Sequence, residues 1–346
     1  MGIIRVLFLA DTHLGFDYPF RPRIQRRRRG AEFFANFKRA LLPALKGRVD
    51  CVVHGGDLLY RSKVPPRLVA MAFEPLKQVA DREIPVYLVP GNHERSAIPH
   101  RHLARHPQIH IFDQPRCFVL HKANLTIALS GFPFVRQGIR KRFAGILEQT
   151  GWRDVKAAVH GLCIHQAIDG VTVGPGGYQF RYAADVINPS EIPPAFTAVL
   201  AGHIHRFQVL TRSLRGACLP TPVFYPGSIE RTSFAEKNER KGYLVLEFEG
   251  QDSSGRLKKW KFIKLPARPM IQLELHPSGK TGTEVESWIR TRIDGLPADS
   301  IVKLKVFGQT SPDAGMVLRA ASLRALAPPT MNIDARYVDH VLYHRR

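Results

Sequence analysis

The sequence has no apolar stretch approaching the ~18 residues that a membrane-crossing helix needs. Its opening run, MGIIRVLFLA, continues straight into Asp11 without a small-residue cleavage site, and reads as a first core strand rather than a signal peptide. Gly2 raises N-myristoylation, but Val6 stands where that motif requires Ser or Thr. Cysteine is scarce, and Cys51, Cys117, Cys163 and Cys218 form no CxxC pair. That spacing argues against a zinc–thiolate site and favours a reducing, cytoplasmic setting. Cys51 and Cys163 lie inside apolar runs and read as small core residues. There is no internal repeat and no heptad array.

Carboxylates are few as well. Asp and Glu total 29 against 51 Lys and Arg, a formal net charge of +22, and any bound metal would neutralise some of the 29. A field of that sign concentrates polyanions and speeds their association, which points to nucleic acid rather than to mere arginine bias. The 346 residues, 44% hydrophobic and 23% charged, suffice for a soluble large domain alone or with a small companion.

Five strand-like runs then end on metal-binding residue types. They are IIRVLFLA before Asp11-Thr-His13, CVVHGG before Asp57, IPVYLVPG before Asn92-His93, AVHGLCI before His165, and FTAVLAG before His203-Ile-His205. Open α/β folds place their sites at such strand ends, and the five endings are expected to converge on one edge of a sheet. The set is too rich for one ion. Two octahedral ions sharing a carboxylate would use it fully, an arrangement suited to cleaving phosphate esters.

Residues 1–250 alternate between strand and helix patterns. Ala31 to Leu45 and Arg67 to Ala80 each carry one apolar helical face and separate metal-motif strands at βαβ spacing. From Ile109 to Phe134, and again after His205, short strands predominate. The expected architecture is two facing mixed β-sheets flanked by helices. The polar GQDSSGRL segment at Gly250–Leu257 marks a boundary between a phosphoesterase domain, 1–250, and an α+β segment, 258–346. In the latter, alternating runs around Ile271 and Val302 flank a helix over Thr283–Leu296. A second helix, Met316–Leu326, and a last strand, Tyr337–Tyr343, follow.

Asp11 and His13, like His203 and His205, are spaced i, i+2, which points both side chains of a pair the same way. Asp57 supplies two oxygens able to bridge two ions, and Asn92 offers a neutral amide oxygen suited to hard cations. His165 lies at the carboxyl end of its strand and is the expected ligand, whereas His160 lies inside the run and reads as a core or supporting residue. His93, pointing away from Asn92, is the expected proton donor to the leaving oxygen, acting with Asp57 in catalysis. The arginine run Arg21, Arg23, Arg26, Arg27, Arg28 and Arg29 leaves the strand end that carries Asp11, so it is a candidate for nucleic-acid backbone contact. Tyr60, Arg61 and Lys63, after Asp57, are candidates of the same kind. His100, His102, His106 and His110 read as a surface loop.

DxH, GGD, GNHE, HQ and GHIH in this order resemble the calcineurin-like metallophosphoesterase superfamily. ADTHLG, HGGDLLYRS, HQAIDG, GHIHRFQ and YPGSIERTSFAE followed by KGYLVLEFE are similar to its DNA-repair nuclease branch, bacterial SbcD and the meiotic-recombination-eleven nuclease. LPARPM resembles the entry to that branch's small capping domain. The resemblance implies two divalent ions per chain, Mn2+ foremost with Mg2+, Fe2+ or Zn2+ as alternatives. It also implies a homodimer and hydrolysis of DNA, at ends or within single strands, by metal-activated water in repair. The branch usually has a histidine three residues after the bridging aspartate, where this chain has Tyr60, so exonuclease or endonuclease preference stays open. Relatives grip an SMC-like ATPase, SbcC, through a helical tail, which the residues up to Arg346 leave absent or very short. The alternatives are a small-molecule or protein phosphoesterase and a DNA-end-binding scaffold. Protein phosphatases carry GDxVDRG where this chain has GGDLLYRS.

Overall fold

The structure is a computed structural model that describes residues 2–17, 29–94, 103, 105–251 and 254–338. These residues divide into two compact units that part between Pro266 and Ala267.

The first unit is built on two six-stranded sheets. In one, β1 (Gly2–Leu9), β2 (Cys51–His54), β3 (Val86–Leu88) and β4 (Ile109–Ile111) run parallel. The antiparallel hairpin of Gly242–Gln251 and Ser254–Lys264 continues this sheet from β1. In the other, β6 (Leu125–Gly131), β7 (Val159–His165), Ala198–Gly202 and Cys218–Tyr225 are parallel. Its edges are β5 (Arg116–Lys122) and Gln208–Arg212, both antiparallel.

Side chains alternate across a strand, and the alternation sorts the apolar residues into layers. Val6 and Phe8 of β1, with Cys51 and Val53 of β2, share one core with Ile127 and Leu129 of β6 and Leu200 of the other sheet. Leu7 and Leu9, with Val52, point the other way onto helices α1 (Gly30–Leu45) and α2 (Pro66–Ala80). Phe33, Phe37, Ala40, Leu41 and Ala44 recur at three- and four-residue spacing and form the buried stripe of α1. Pro66 starts α2 at its first turn, where its missing N–H costs no bond. Val199 and Ala201 pack outward against Phe143 and Leu147 of the helix Ile139–Glu148. Both sheets are thus covered on each face, which is why their central strands are continuously apolar.

Both ends of the GQDSSGRL segment, expected to mark the boundary, belong to strands that pair with each other, Gly250 opposite Gly255. Phe262 and Ile263 on the second strand pack against the cores on the two faces of the sheet, which ties this strand to the first unit.

The second unit alternates strands Met270–Leu275, Ile301–Phe307 and Asn332–Val338 in one parallel sheet with helices. Helix Gly282–Asp294 opens with a Thr281–Glu284 capping box and buries Val285, Ile289 and Ile293. The single helix expected over Met316–Leu326 is instead two short ones, Pro312–Val317 and Ala320–Leu326, with Arg319 extended between them. The last strand begins at Asn332, earlier than expected, and 339–346 lie outside the described residues. No described helix is long and apolar enough to cross a membrane.

Candidate metal centre

The strand ends do converge, but from two sheets rather than along one edge. Asp11, Asp57 and Asn92 follow β1, β2 and β3 of the first sheet; His165 ends β7, and His203 and His205 follow Ala198–Gly202 of the second. Because each set of strands is parallel, its carboxyl ends lie together, and the two sets meet where His165 Nδ1 reaches the Gly55 carbonyl at 2.7 Å.

The backbone there is forced. Asp11, His13, Asp57 and His203 have φ of 51°, 42°, 53° and 87°, a left-handed region that side chains disfavour. Bonds from Asp11 N–H to Gly56 O (2.9 Å) and His13 N–H to Asp57 O (3.0 Å) hold two of these turns together. The His203 N–H donates to both Asp11 oxygens at 3.1 Å. Glycine is required beside them: a Cβ on Gly91 would stand 2.2 Å from Asp57 Oδ1, and one on Gly202 would stand 2.1 Å from Gly55 O.

Two clusters result. In one, His13 Nε2 and His205 Nε2 face each other at 2.9 Å, with Asp11 beside them. In the other, Asn92 Oδ1 lies 2.9 Å from His203 Nδ1 and 3.0 Å from His165 Nε2. Asp57 Oδ2 stands between, 3.4 Å from His165 Nε2 and 4.0 Å from His13 Nε2.

These residues fit a pair of hard cations. Neighbouring ligands of an octahedral ion bound at 2.0–2.1 Å lie roughly 3 Å apart, the separation seen in both clusters. His165 gives a sharper test. Its Nδ1 must donate, since the Gly55 carbonyl can only accept, so a neutral ring turns the Nε2 lone pair toward Asn92 and Asp57 oxygens. That arrangement is favourable only with a cation among them or with a proton on the ring. Without metal the proton wins: burial alone would lower the His165 pKa, but Asp57 and Asp11 push it up to about 9. His13 Nδ1 is buried without a hydrogen-bond partner among the described residues, and burial with His205 beside it holds the ring well below its usual pKa. Burial and His165 likewise lower His203 to about 3, ready to coordinate as a neutral base. Burial would raise the Asp57 carboxyl, yet His165, His13 and His93 together hold it well below the usual carboxylate range. Burial lifts Asp11 to about 6.

His93 is placed differently. Its backbone N–H donates to Asp57 Oδ1 at 2.9 Å, its Nδ1 is 2.5 Å from the Tyr60 carbonyl, and its side chain is 34% exposed. A carbonyl only accepts, so Nδ1 donates and Nε2, 3.8 Å from Asp57 Oδ2, is the nitrogen left free at the rim.

The sequence pattern of the calcineurin-like phosphoesterase family matches residues 4–207. The chain belongs to the calcineurin-like phosphoesterase family. It is also similar to three archaeal proteins called DNA double-strand break repair protein Mre11. The Aeropyrum pernix protein is 27% identical over 285 residues, 78% of this chain and 63% of its own length. The Haloferax volcanii protein is 30% identical over 328 residues, 90% of this chain and 64% of its own. The Saccharolobus solfataricus protein is 24% identical over 215 residues, 61% of this chain and 51% of its own. The chain therefore spans between half and two thirds of these relatives.

Three residues that support this candidate centre were not assigned from the sequence. Glu94 is buried, and its two oxygens each accept a backbone N–H at 3.0 Å, from Leu59 and from Gly91, tying the Asp57 and Asn92 turns together. Burial and nearby Asp57 raise its carboxyl to about 7. Its signal was the last letter of GNHE. Glu236 Oε1 is 3.1 Å from His205 Nδ1, and so fixes the tautomer that aims Nε2 into the site. Lys241, fully buried, donates to Glu236 Oε2 at 2.5 Å and to Ser228 Oγ and His205 O at 2.8 Å. Their signal lay in the SIERTSFAE and KGYLVLEFE wording, which names residues without roles.

Of the remaining candidates, Tyr60 lies beside the site, its ring 5.9 Å from those of His13 and His93. The Arg61 guanidinium covers the Tyr60 ring at 5.5 Å, and Lys63 is exposed. Arg21, Arg23, Arg26, Arg27 and Arg28 lie outside the described residues. Arg29 differs from its expected role as an exposed backbone contact. It is buried, donates to the Arg231 carbonyl at 2.6 Å and pairs with Glu32 and Glu230, so it fastens the start of α1. His160 sits near Trp152 and Phe196, on the helix-covered side of its sheet. His106 bonds Asp81 and His110 stacks on Tyr87; neither joins the centre. His100 and His102 are not among the described residues.

Proposed function

We propose that this protein is a two-metal-dependent phosphodiesterase acting on DNA, a nuclease of end processing or repair. The observation that carries the reading is the doubled ligand cluster sharing Asp57, with His93 at its open rim. Asp11, His13, Asp57 and His205 would hold one ion, and Asp57, Asn92, His165 and His203 the other. Bound there, two divalent ions, Mn2+ foremost, would supply charge neutralisation of the phosphate and a hydrolytic nucleophile.

The chain's own residues do the rest. Asp57 ties the two halves of the site at a fixed separation. Glu94 and Glu236 hold Asn92, Asp57 and His205 in place before substrate arrives. His93 carries a proton on Nδ1 against the Tyr60 carbonyl and, when also protonated on Nε2, presents that proton to the leaving oxygen. With the net charge of +22, a DNA phosphate is a better match than a neutral or small substrate. The resemblance to the SbcD branch and the Mre11 names extend the reading to partners: DNA, a second copy of the chain, and an SMC-like ATPase of the SbcC type.

The test is incubation of the purified protein with end-labelled single- and double-stranded DNA, with and without manganese. Cleavage that requires the metal and disappears in Asp57→Asn is the expected result. Hydrolysis of a small chromogenic diester without any DNA cleavage, under every divalent metal tried, would overturn the DNA assignment.

A further inference from the structure

A cleft of about 330 Å³ opens beside the metal centre, lined by Arg206, Phe207, Lys237, Glu239, Arg240 and Pro175, among others. That volume is at the small end of ligand-binding clefts, which begin near ~300 Å³. Its walls are chain neighbours of the centre: Arg206 follows His205, and Lys237 follows the Glu236 that orients His205.

The charges in it are not equivalent. Glu239 is committed, 3.1 Å from Arg206 Nε and 3.3 Å from Lys241 Nζ. Arg206 is committed too, donating also to the Gly174 carbonyl and Thr172 Oγ1, which fixes the wall containing Pro175. Lys237 and Arg240 have no hydrogen bond or ion pair from their charged ends among the described residues. The Arg240 guanidinium instead lies over two aromatic rings, 5.6 Å from the Phe207 centroid and 5.8 Å from that of Phe262. Those rings stack on each other at 4.1 Å, and the half-exposed Trp260 lies 6.1 Å from Phe207.

Two uncommitted cations beside an aromatic stack, opening next to a phosphoesterase centre, have the composition of a single-strand nucleic-acid platform. Cations follow the phosphates, while planar groups, arginine included, take the bases. We infer that this cleft holds a nucleotide of single-stranded DNA flanking the scissile linkage, its phosphate on Lys237 and Arg240 and its base against the Arg240–Phe207 face. The inference rests on the nuclease reading above and narrows it to a strand that is unpaired on this side of the cut.

The experiment compares wild type with the Lys237→Ala/Arg240→Ala variant, both supplied with manganese. Substrates are a labelled oligothymidine and bis(4-nitrophenyl) phosphate, which has no flanking nucleotide to occupy the cleft. The variant should raise KM for the oligonucleotide roughly tenfold, the scale of one lost base stack. The salt slope of its binding should flatten by about 0.7, the value for the one phosphate that the two cations neutralise. The chromogenic diester should turn over as before. Arg240→Lys in the single variant should keep the salt slope but not the full affinity, because the ammonium restores charge without the planar face. An unchanged oligonucleotide KM and salt slope in a wild type that does cleave DNA overturns the cleft's role and leaves the nuclease reading standing. A wild type that hydrolyses the chromogenic diester but never cleaves DNA overturns both. Equal losses on both substrates mean that the substitutions disturbed the centre itself, and would also reject the subsite.

Discussion

Glu236→Gln tests whether the centre depends on the carboxylate behind His205. The change keeps shape but removes the charge that faces Lys241, whose side chain is fully buried, and His205 Nδ1 at 3.1 Å. Opening a buried ion pair by neutralising one partner typically costs about 3–5 kcal/mol. Here Glu239 remains 3.3 Å from the ammonium, and Ser228 Oγ and the His205 carbonyl still accept from it at 2.8 Å. The cost should therefore sit at the low end, about 3 kcal/mol. For a unit of this size that lowers Tm by roughly 6–12 °C. Independently, loss of the group that orients a ligating histidine should weaken metal binding about 10–100-fold. Calorimetric melting of the metal-free protein and isothermal titration with manganese read the two effects separately. Glu236→Gln combined with Lys241→Met separates them further. With both charges gone, most of the stability should return, but weak metal binding should persist because a neutral amide, which can donate as well as accept, holds the His205 tautomer less firmly than a carboxylate. If the double variant regains wild-type metal affinity, Glu236 acts only through the fold and the positioning argument fails. A single variant that melts within about 2 °C of wild type, roughly 0.5–1 kcal/mol in a unit of this size, would show that the ion pair contributes little.

Three further outcomes follow from the same geometry. His93→Gln should retain both ions by metal analysis yet lose about 10²–10⁴-fold in phosphodiester hydrolysis; loss of metal in step with activity would make His93 a support instead. The metal-free protein should lose stability as pH rises from 6.5 to about 9, because His165, raised above its ordinary 6.5, contributes fully below that value and not above its folded-state pKa. Manganese should abolish that decline by binding the neutral ring, and a flat Tm profile without metal would contradict the His165–Asp57 pairing. Gly202→Ala puts a Cβ 2.1 Å from the Gly55 carbonyl, where two backbones meet, so overpacking of about 1–3 kcal/mol or more is expected. A variant with unchanged melting and metal content would show that the two sheet ends are not held at that distance.

The sequence by itself determined the parts that local periodicity and parallel-strand geometry govern. The apolar faces of α1 and α2 were legible because burial on one side of a helix imposes a 3.6-residue repeat. The ends of both are within one residue of those expected. The candidate metal ligands were legible because every one of them ends or follows a parallel strand, where chain direction alone brings side chains together. The tertiary structure decided what long-range approach controls. It drew the residues from two sheets, not one, and let a single Asp57 oxygen face His165 and His13, residues 108 and 44 positions away from it in the chain by their numbers. It also put Glu236 and Lys241 behind His205, from 31 and 36 residues away. A buried carboxylate or lysine leaves no periodic mark, since its role lies in the partner it meets. Arg29 shows the converse. Within a run of arginines it is indistinguishable from its neighbours, and long-range partners such as Glu230 and the Arg231 carbonyl, brought to it by the fold, help to make it an interior residue.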